Sequence, residues 1–114
     1  MTKQNSKAGK AGMTLADMEA RSDEVATILK TLAHPMRLML ACSLVEAEYS
    51  VGGLEEKLNI HQPNLSQQLT VLRESGIVET RREGKQIFYR LTHEKAARLI
   101  EALFSIYCAA GSRP

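Results

Sequence analysis

After Gly76 the spacing of apolar residues in this chain changes from about 3.6 to 2, and no other feature limits the possible folds so strongly. Residues 77–82 and 86–91 read as two strands joined at Glu83-Gly84-Lys85, with Ile87, Tyr89 and Leu91 on one face and Gln86, Phe88 and Arg90 on the other. The pattern on either side of this hairpin is helical. Thr92 is placed to cap a last helix whose apolar stripe runs through Ala96, Leu99, Ile100, Leu103, Ile106 and Tyr107. Upstream, Thr14 is placed to cap a first helix that carries Leu15, Met18, Val25, Ile28, Leu29 and Leu32 and reaches about residue 33. Pro35 opens a second helix, to about residue 47, which is apolar nearly all round and so belongs inside the domain. Ser50 suits the N-cap of a short third helix over 51–58, weakened by Gly52 and Gly53. A turn at Asn59-Ile60 leads to a fourth helix over 62–75, with Pro63 in its first turn and Gly76 in the left-handed position that ends it.

With 4% aromatic residues and no Trp, the core must be built from Leu, Ile, Val, Met and Ala, which suits helices. A buried helix, a short helix, a tight turn and a longer helix, followed by a hairpin, describe a winged helix-turn-helix. The expected fold is thus mainly α with a small β-hairpin wing: four helices, two strands and a fifth helix. One domain is expected over 14–110, after a disordered basic tail at 1–13 carrying Lys3, Lys7 and Lys10, and before a short tail at 111–114. The first and fifth helices are too apolar to stand alone, so a homodimer through both is expected.

The fourth helix carries two unlike faces. Leu65, Leu69 and Leu72 make a core stripe, while Gln62, Asn64, Ser66, Gln67, Gln68 and Thr70 cover much of the rest, with Arg73 near the end. Side-chain amides can both donate to and accept from base edges, as in pairing with adenine N6 and N7. Taken alone, a solvated uncharged face explains the same residues, so the surroundings must decide. The hairpin sets Arg81, Arg82, Lys85 and Arg90 against Glu83, a local charge of about +3 on a projecting element, as expected for contacts to phosphates or the minor groove. A charged hairpin tip is commonly just solvated, but directly after a helix-turn-helix it favours double-stranded DNA as the partner, although the whole-chain charge is only +2.

No apolar run approaches the ~18 residues of a membrane span, and residues 1–12 lack the apolar segment of a secretory signal, so a cytoplasmic protein with no membrane partner is expected. Its two cysteines, Cys42 and Cys108, have no CxxC spacing and should rest as thiols. A thiol oxidoreductase is a poor fit, because neither cysteine lies at a helix N-terminus that would lower its pKa. No enzyme activity and no cofactor are expected. A winged helix serving only protein contact remains a rival, and it would show no salt-dependent affinity for DNA.

The segments Leu32-Ala33-His34-Pro35-Met36-Arg37-Leu38, Gln62-Pro63-Asn64-Leu65-Ser66-Gln67-Gln68-Leu69, Leu72-Arg73-Glu74-Ser75-Gly76-Ile77-Val78 and 82–91 together resemble the ArsR family of dimeric winged-helix repressors over roughly residues 15–108. The resemblance implies a homodimer that reads an imperfect palindrome and is released from it by an inducer. The Cys-x-Cys pattern of the family's arsenic and cadmium sensors is missing from Tyr49-Ser50-Val51-Gly52-Gly53-Leu54. The last helix offers His93, Glu94 and Glu101 but no Asp-x-His, so no metal site is expected. A metal-responsive repressor acting through the two thiols is the alternative. Cys42 and Cys108 instead look like the pair of the BigR-like dithiol branch. That likeness implies reactive sulfur species as effector, a cross-link between the second and fifth helices, derepression of sulfide-detoxification genes and a connection with biofilm growth. Many relatives have Ser-x-His-Leu where this chain has Ser66-Gln67-Gln68-Leu69, so base preference does not carry over from them.

Overall fold

The structure, a computed structural model, describes residues 12–60 and 63–108. Two compact units divide the chain, one reaching to Lys30 and the other beginning at Thr31. The expected tails fall almost wholly outside the described residues, as do His61 and Gln62.

The first unit holds α1 (Leu15–Ala20) and most of α2 (Ser22–Leu32). Thr14 caps α1 as expected: its hydroxyl accepts from the Asp17 N–H at 3.1 Å, and the Asp17 carboxylate accepts from the Thr14 N–H at 3.1 Å. The single helix expected as far as residue 33 is broken at Arg21. The Arg21 N–H turns back to the Met18 carbonyl at 3.0 Å, and the Ser22 hydroxyl donates to the Glu19 carbonyl at 3.0 Å. Hydroxyl competition for helix carbonyls closes one helix early and lets the next begin. In α1, Leu15 is 84% exposed and Met18 52%.

The second unit continues with α3 (Pro35–Glu46), β1 (Tyr49–Ser50), α4 (Val51–Leu58), α5 (Leu65–Glu74), β2 (Val78–Glu83), β3 (Gln86–Leu91) and α6 (Glu94–Cys108). It is a winged helix-turn-helix, and the described residues of both units together hold six helices and three strands where five and two were expected. Its core joins Leu40, Ala41 and Leu44 of α3 to Leu54, Leu65, Leu69 and Leu72 of the helix-turn-helix, Ile77 and Val78 of the wing, and Ala96 and Ile100 of α6. α3 is not enclosed all round as its composition implied, since Met39 is 48% exposed.

Local chemistry sets the boundaries. The His34 imidazole Nδ1 accepts from the Met36 N–H at 3.1 Å, and Pro35 fills the first position of α3, where no N–H is needed. Ser50 caps α4 through the Gly53 N–H at 3.1 Å, and Asn59 ends that helix in the left-handed region at φ +54°. α5 begins at Leu65 with Asn64 as its N-cap residue, so Pro63 precedes the helix instead of occupying its first turn. The first α5 bond runs from the Gln68 N–H to the Asn64 carbonyl at 3.0 Å, which fixes that start. Gly76, at φ +84°, supplies the left-handed residue after α5 that the sequence called for. For α6 the expected cap Thr92 gives way to His93, whose Nδ1 accepts from the Ala96 N–H at 3.2 Å. The N–H groups of Thr92 and His93 both reach the Ile77 carbonyl, and this pinning shifts the cap by one residue.

In the wing, Glu83 pairs with Gln86, so the turn is Gly84-Lys85 alone, with Gly84 at φ +64°. The first wing strand therefore runs one residue later than expected at each end. β1 was not expected. It pairs antiparallel with β3, Tyr49 opposite Tyr89 and Ser50 opposite Phe88, giving the sheet order β1-β3-β2. Among the described residues no single helix is long and apolar enough to cross a membrane.

Candidate nucleic-acid interface and dithiol site

The amide-rich face of α5 follows from the burial of its other side. Leu65, Leu69 and Leu72 are almost wholly enclosed, which turns Ser66, Gln67, Thr70 and Arg73 outward. The Gln67 side chain is exposed and makes no hydrogen bond among the described residues, so both ends of its amide are available. Gln68 is not equivalent to it. Its Oε1 accepts from Arg37 Nη1 at 2.7 Å, while Arg37 Nε donates to the Thr31 carbonyl at 2.7 Å. A carbonyl held by a guanidinium leaves the Gln68 NH₂ as the group best placed to act outward, a donor to acceptor edges. The Thr70 hydroxyl donates to the Ser66 carbonyl at 3.0 Å and so is engaged in its own helix. Asn64 turns inward: its Oδ1 is buried without a hydrogen-bond partner among the described residues and makes no cap bond. Gln62 lies outside the described residues.

The wing is less basic than its own sequence implied, because Glu48, just before β1, enters it. Arg81 Nη2 lies 2.9 Å from Glu48 Oε1 and Arg81 Nη1 lies 2.8 Å from Glu83 Oε1, with Arg90 Nε 3.9 Å from Glu48 Oε2. The Arg81 guanidinium also lies 4.9 Å from the centre of the Phe88 ring. The hydrogen bond from Arg81, then its charge and that of Arg90, hold the Glu48 carboxyl below its usual value. Arg81 is thus engaged within the wing, whereas Arg82 and Lys85 are exposed and make no ion pair among the described residues.

The two cysteines come together on facing helices. Cys42, on α3, and Cys108, the last residue of α6, line one cavity of about 330 Å³ with Leu38, Ile100, Leu103 and Phe104. Both are free thiols. Cys108 is exposed and Cys42 half-buried. Burial, then the nearby Cys108 and Glu46, push the Cys42 thiol above its ordinary pKa. One thiol is therefore reachable, and the other is sheltered and less acidic than an ordinary cysteine. Among the described residues no three His, Cys, Asp or Glu side chains converge as metal ligands would. His93, weighed above as a ligand, uses Nδ1 as a helix cap. Near the end of α6, Ile106 and Tyr107 are 66% and 74% exposed.

Arg37 and Glu48 belong to the site although no motif in the sequence marks them. Each acts through a partner more than thirty residues away, so local pattern gave no signal.

Residues 34–80 match the model of the bacterial regulatory protein family arsR. The biofilm growth-associated repressor of Agrobacterium fabrum is 70% identical over 95 residues, covering 83% of this chain and 81% of that protein. The crystal structure of the transcriptional repressor BigR from Xylella fastidiosa superposes with a TM-score of 0.81 at 68% identity, covering 85% of this chain and 99% of that one. A structure of reduced HlyU from Vibrio cholerae gives a TM-score of 0.75 at 39% identity, covering 82% and 99%. The proteins matched are regulators of transcription rather than enzymes.

Proposed function

Because the chain belongs to the ArsR family of bacterial regulatory proteins, we propose that it is a dithiol switch: a homodimer that binds a palindromic operator while Cys42 and Cys108 are reduced. Reactive sulfur species would oxidise or cross-link the pair, release the DNA and derepress genes for sulfide detoxification. By kinship the chain is a DNA-binding transcriptional repressor of the BigR type.

The observation that carries the dithiol switch is the shared cavity, with one thiol exposed and its partner sheltered. Cys108, as the reachable thiolate, attacks a sulfane sulfur and expels the remainder of the donor as a thiolate. Cys42 then attacks the mixed species, and a second thiolate leaves. Two cysteine thiols lose two electrons, which the donor gains. A plain disulfide needs Cα atoms within about 7 Å, and each added sulfur relaxes that limit. That one structural relative is distinguished as reduced is in keeping with redox chemistry in such proteins. The uncovered apolar residues of α1 and of the end of α6 support a dimer through those helices.

The test is intact-protein mass spectrometry alongside DNA retention. Reduced protein is bound to an operator recovered by selection from random DNA, then treated with inorganic polysulfide or with zinc. Release accompanied by the loss of two hydrogens, with or without added sulfur, is the expected result. Release by zinc with a bound-metal mass, and none by polysulfide, would point to the metal-responsive alternative.

Two further outcomes check the DNA-reading surface. Gln67→Ala is expected to cost about 1–3 kcal/mol on the cognate operator and relax base preference. Equal loss on random DNA would remove the base-reading role. Arg82→Ala is expected to weaken binding to all sequences and lower the salt slope by about 1, as measured by titrating affinity against ionic strength. An unchanged slope would mean that the wing tip does not reach phosphate.

A further inference from the structure

We infer that the cavity beside Cys42 and Cys108 selects uncharged, apolar carriers of sulfane sulfur, with small dialkyl trisulfides as the simplest class, and disfavours anionic carriers. This rests on the dithiol reading above and adds a chemical class of effector to it.

The walls carry the argument. Besides the two cysteines, the cavity is bounded by Leu38, Met39, Ile100, Leu103, Phe104 and Tyr107, and it presents only apolar surface. Among the described residues no Lys or Arg lines it to receive a carboxylate or a persulfide anion. The charge acting on Cys42 from beyond the lining is Glu46, one helical turn further along α3, and it is negative. An anion entering would lose hydration, gain no partner and meet a like charge. A neutral molecule meets none of these costs and gains from covering apolar walls. Size favours the same class. A cavity of about 330 Å³ lies at the small end of the ~300–1,000 Å³ usual for ligand sites, so it suits a small organic sulfide better than a peptide persulfide.

The chemistry closes without an added oxidant. The Cys108 thiolate attacks the central sulfur of R–S–S–S–R, forming Cys108–S–S–S–R and expelling RS⁻. The Cys42 thiolate attacks that same central atom and expels the second RS⁻, leaving a bridge of three sulfurs. Both thiolates take up the protons lost by the cysteines. The protein gains one sulfur and loses two hydrogens; the trisulfide is reduced to two thiols.

The experiment compares dimethyl trisulfide with glutathione trisulfide on the reduced full-length protein. Bridge formation is followed by intact mass and by release of DNA. Each rate is divided by the same reagent's rate with N-acetylcysteine methyl ester, which cancels intrinsic reactivity. The expected result is a normalised preference for the neutral reagent of about tenfold or more, reflecting the cost of bringing an unpaired charge to an apolar site. Phe104→Lys, which sets a cation on the exposed wall, should shrink that preference, whereas Ser105→Lys, adding the same charge outside the lining, should leave it in place. Met39→Lys, on the opposite wall, repeats the test should Phe104→Lys fail to bind DNA when reduced. A normalised ratio near one in the unsubstituted protein, or equal effects of the lysines at 104 and 105, would overturn the inference. If inorganic polysulfide releases the DNA while that ratio is near one, only the selectivity falls. If no sulfane donor bridges the thiols, the dithiol switch falls with it.

Discussion

Leu69→Ala is expected to lower the unfolding free energy by about 2–5 kcal/mol, the usual cost of emptying a leucine site in a closed core. Leu69 is 0% exposed and is held with Leu65 and Leu72 on the inner side of α5. A domain of this size has about 5–15 kcal/mol in all, so the variant should lie close to the edge of folding. Urea titration at fixed protein concentration checks this, since a dimer's apparent stability depends on concentration. Thr70→Ala, one residue on and exposed, should stay within about 0.5 kcal/mol of the parent. A loss under about 1 kcal/mol for Leu69→Ala would mean that α5 is not seated on the core as described, and its outward face would then have no fixed geometry.

The second large effect is the loss of response without the loss of binding. Cys42→Ser and Cys108→Ser should each hold the operator as firmly as the parent when untreated. Polysulfide should weaken the parent by about 5- to 150-fold, the range of a coupling of roughly 1–3 kcal/mol, and leave both variants bound. The two should differ in their intermediates. With Cys42 replaced, Cys108 keeps its exposure and should accumulate a mixed product with the donor. With Cys108 replaced, the sheltered and less acidic Cys42 should react slowly. DNA release from both variants at the parent's polysulfide concentration would remove the two-thiol mechanism.

Period and punctuation made most of the frame legible. The alternation after Gly76 marked the wing, Pro35 opened α3, Ser50 and Thr14 served as caps, and Leu65, Leu69 and Leu72 were read correctly as the buried stripe. What remained hidden was set by partners that a local window cannot contain. A two-residue strand such as Tyr49–Ser50 is too short to show alternation, and only its pairing with Tyr89 and Phe88 defines it. Arg81 reads as a phosphate contact until Glu48, thirty-three residues earlier, is seen to hold it. Gln67 and Gln68 are the same residue type side by side, yet Arg37 engages one and leaves the other free. The break at Arg21 arose from hydroxyl bonding at Ser22, which a hydrophobic stripe does not register. For the thiols, helix placement brought Cys42 and Cys108 to one cavity, but the apolar lining became visible only with the fold.

The short strand β1 joins these parts. Ser50 pairs with Phe88 in the sheet while its hydroxyl caps α4, and the preceding Glu48 carboxylate grips Arg81 across the wing. The wing and the helix-turn-helix are therefore tied at one point of backbone, only a few residues past the end of the helix that carries Cys42. In hydrogen-exchange terms, the amides of α4 and of β3 beside β1 should open together as one cooperative block, with similar opening free energies. Breaking the Ser50 cap should loosen the wing as well as the helix, although no wing residue has been changed.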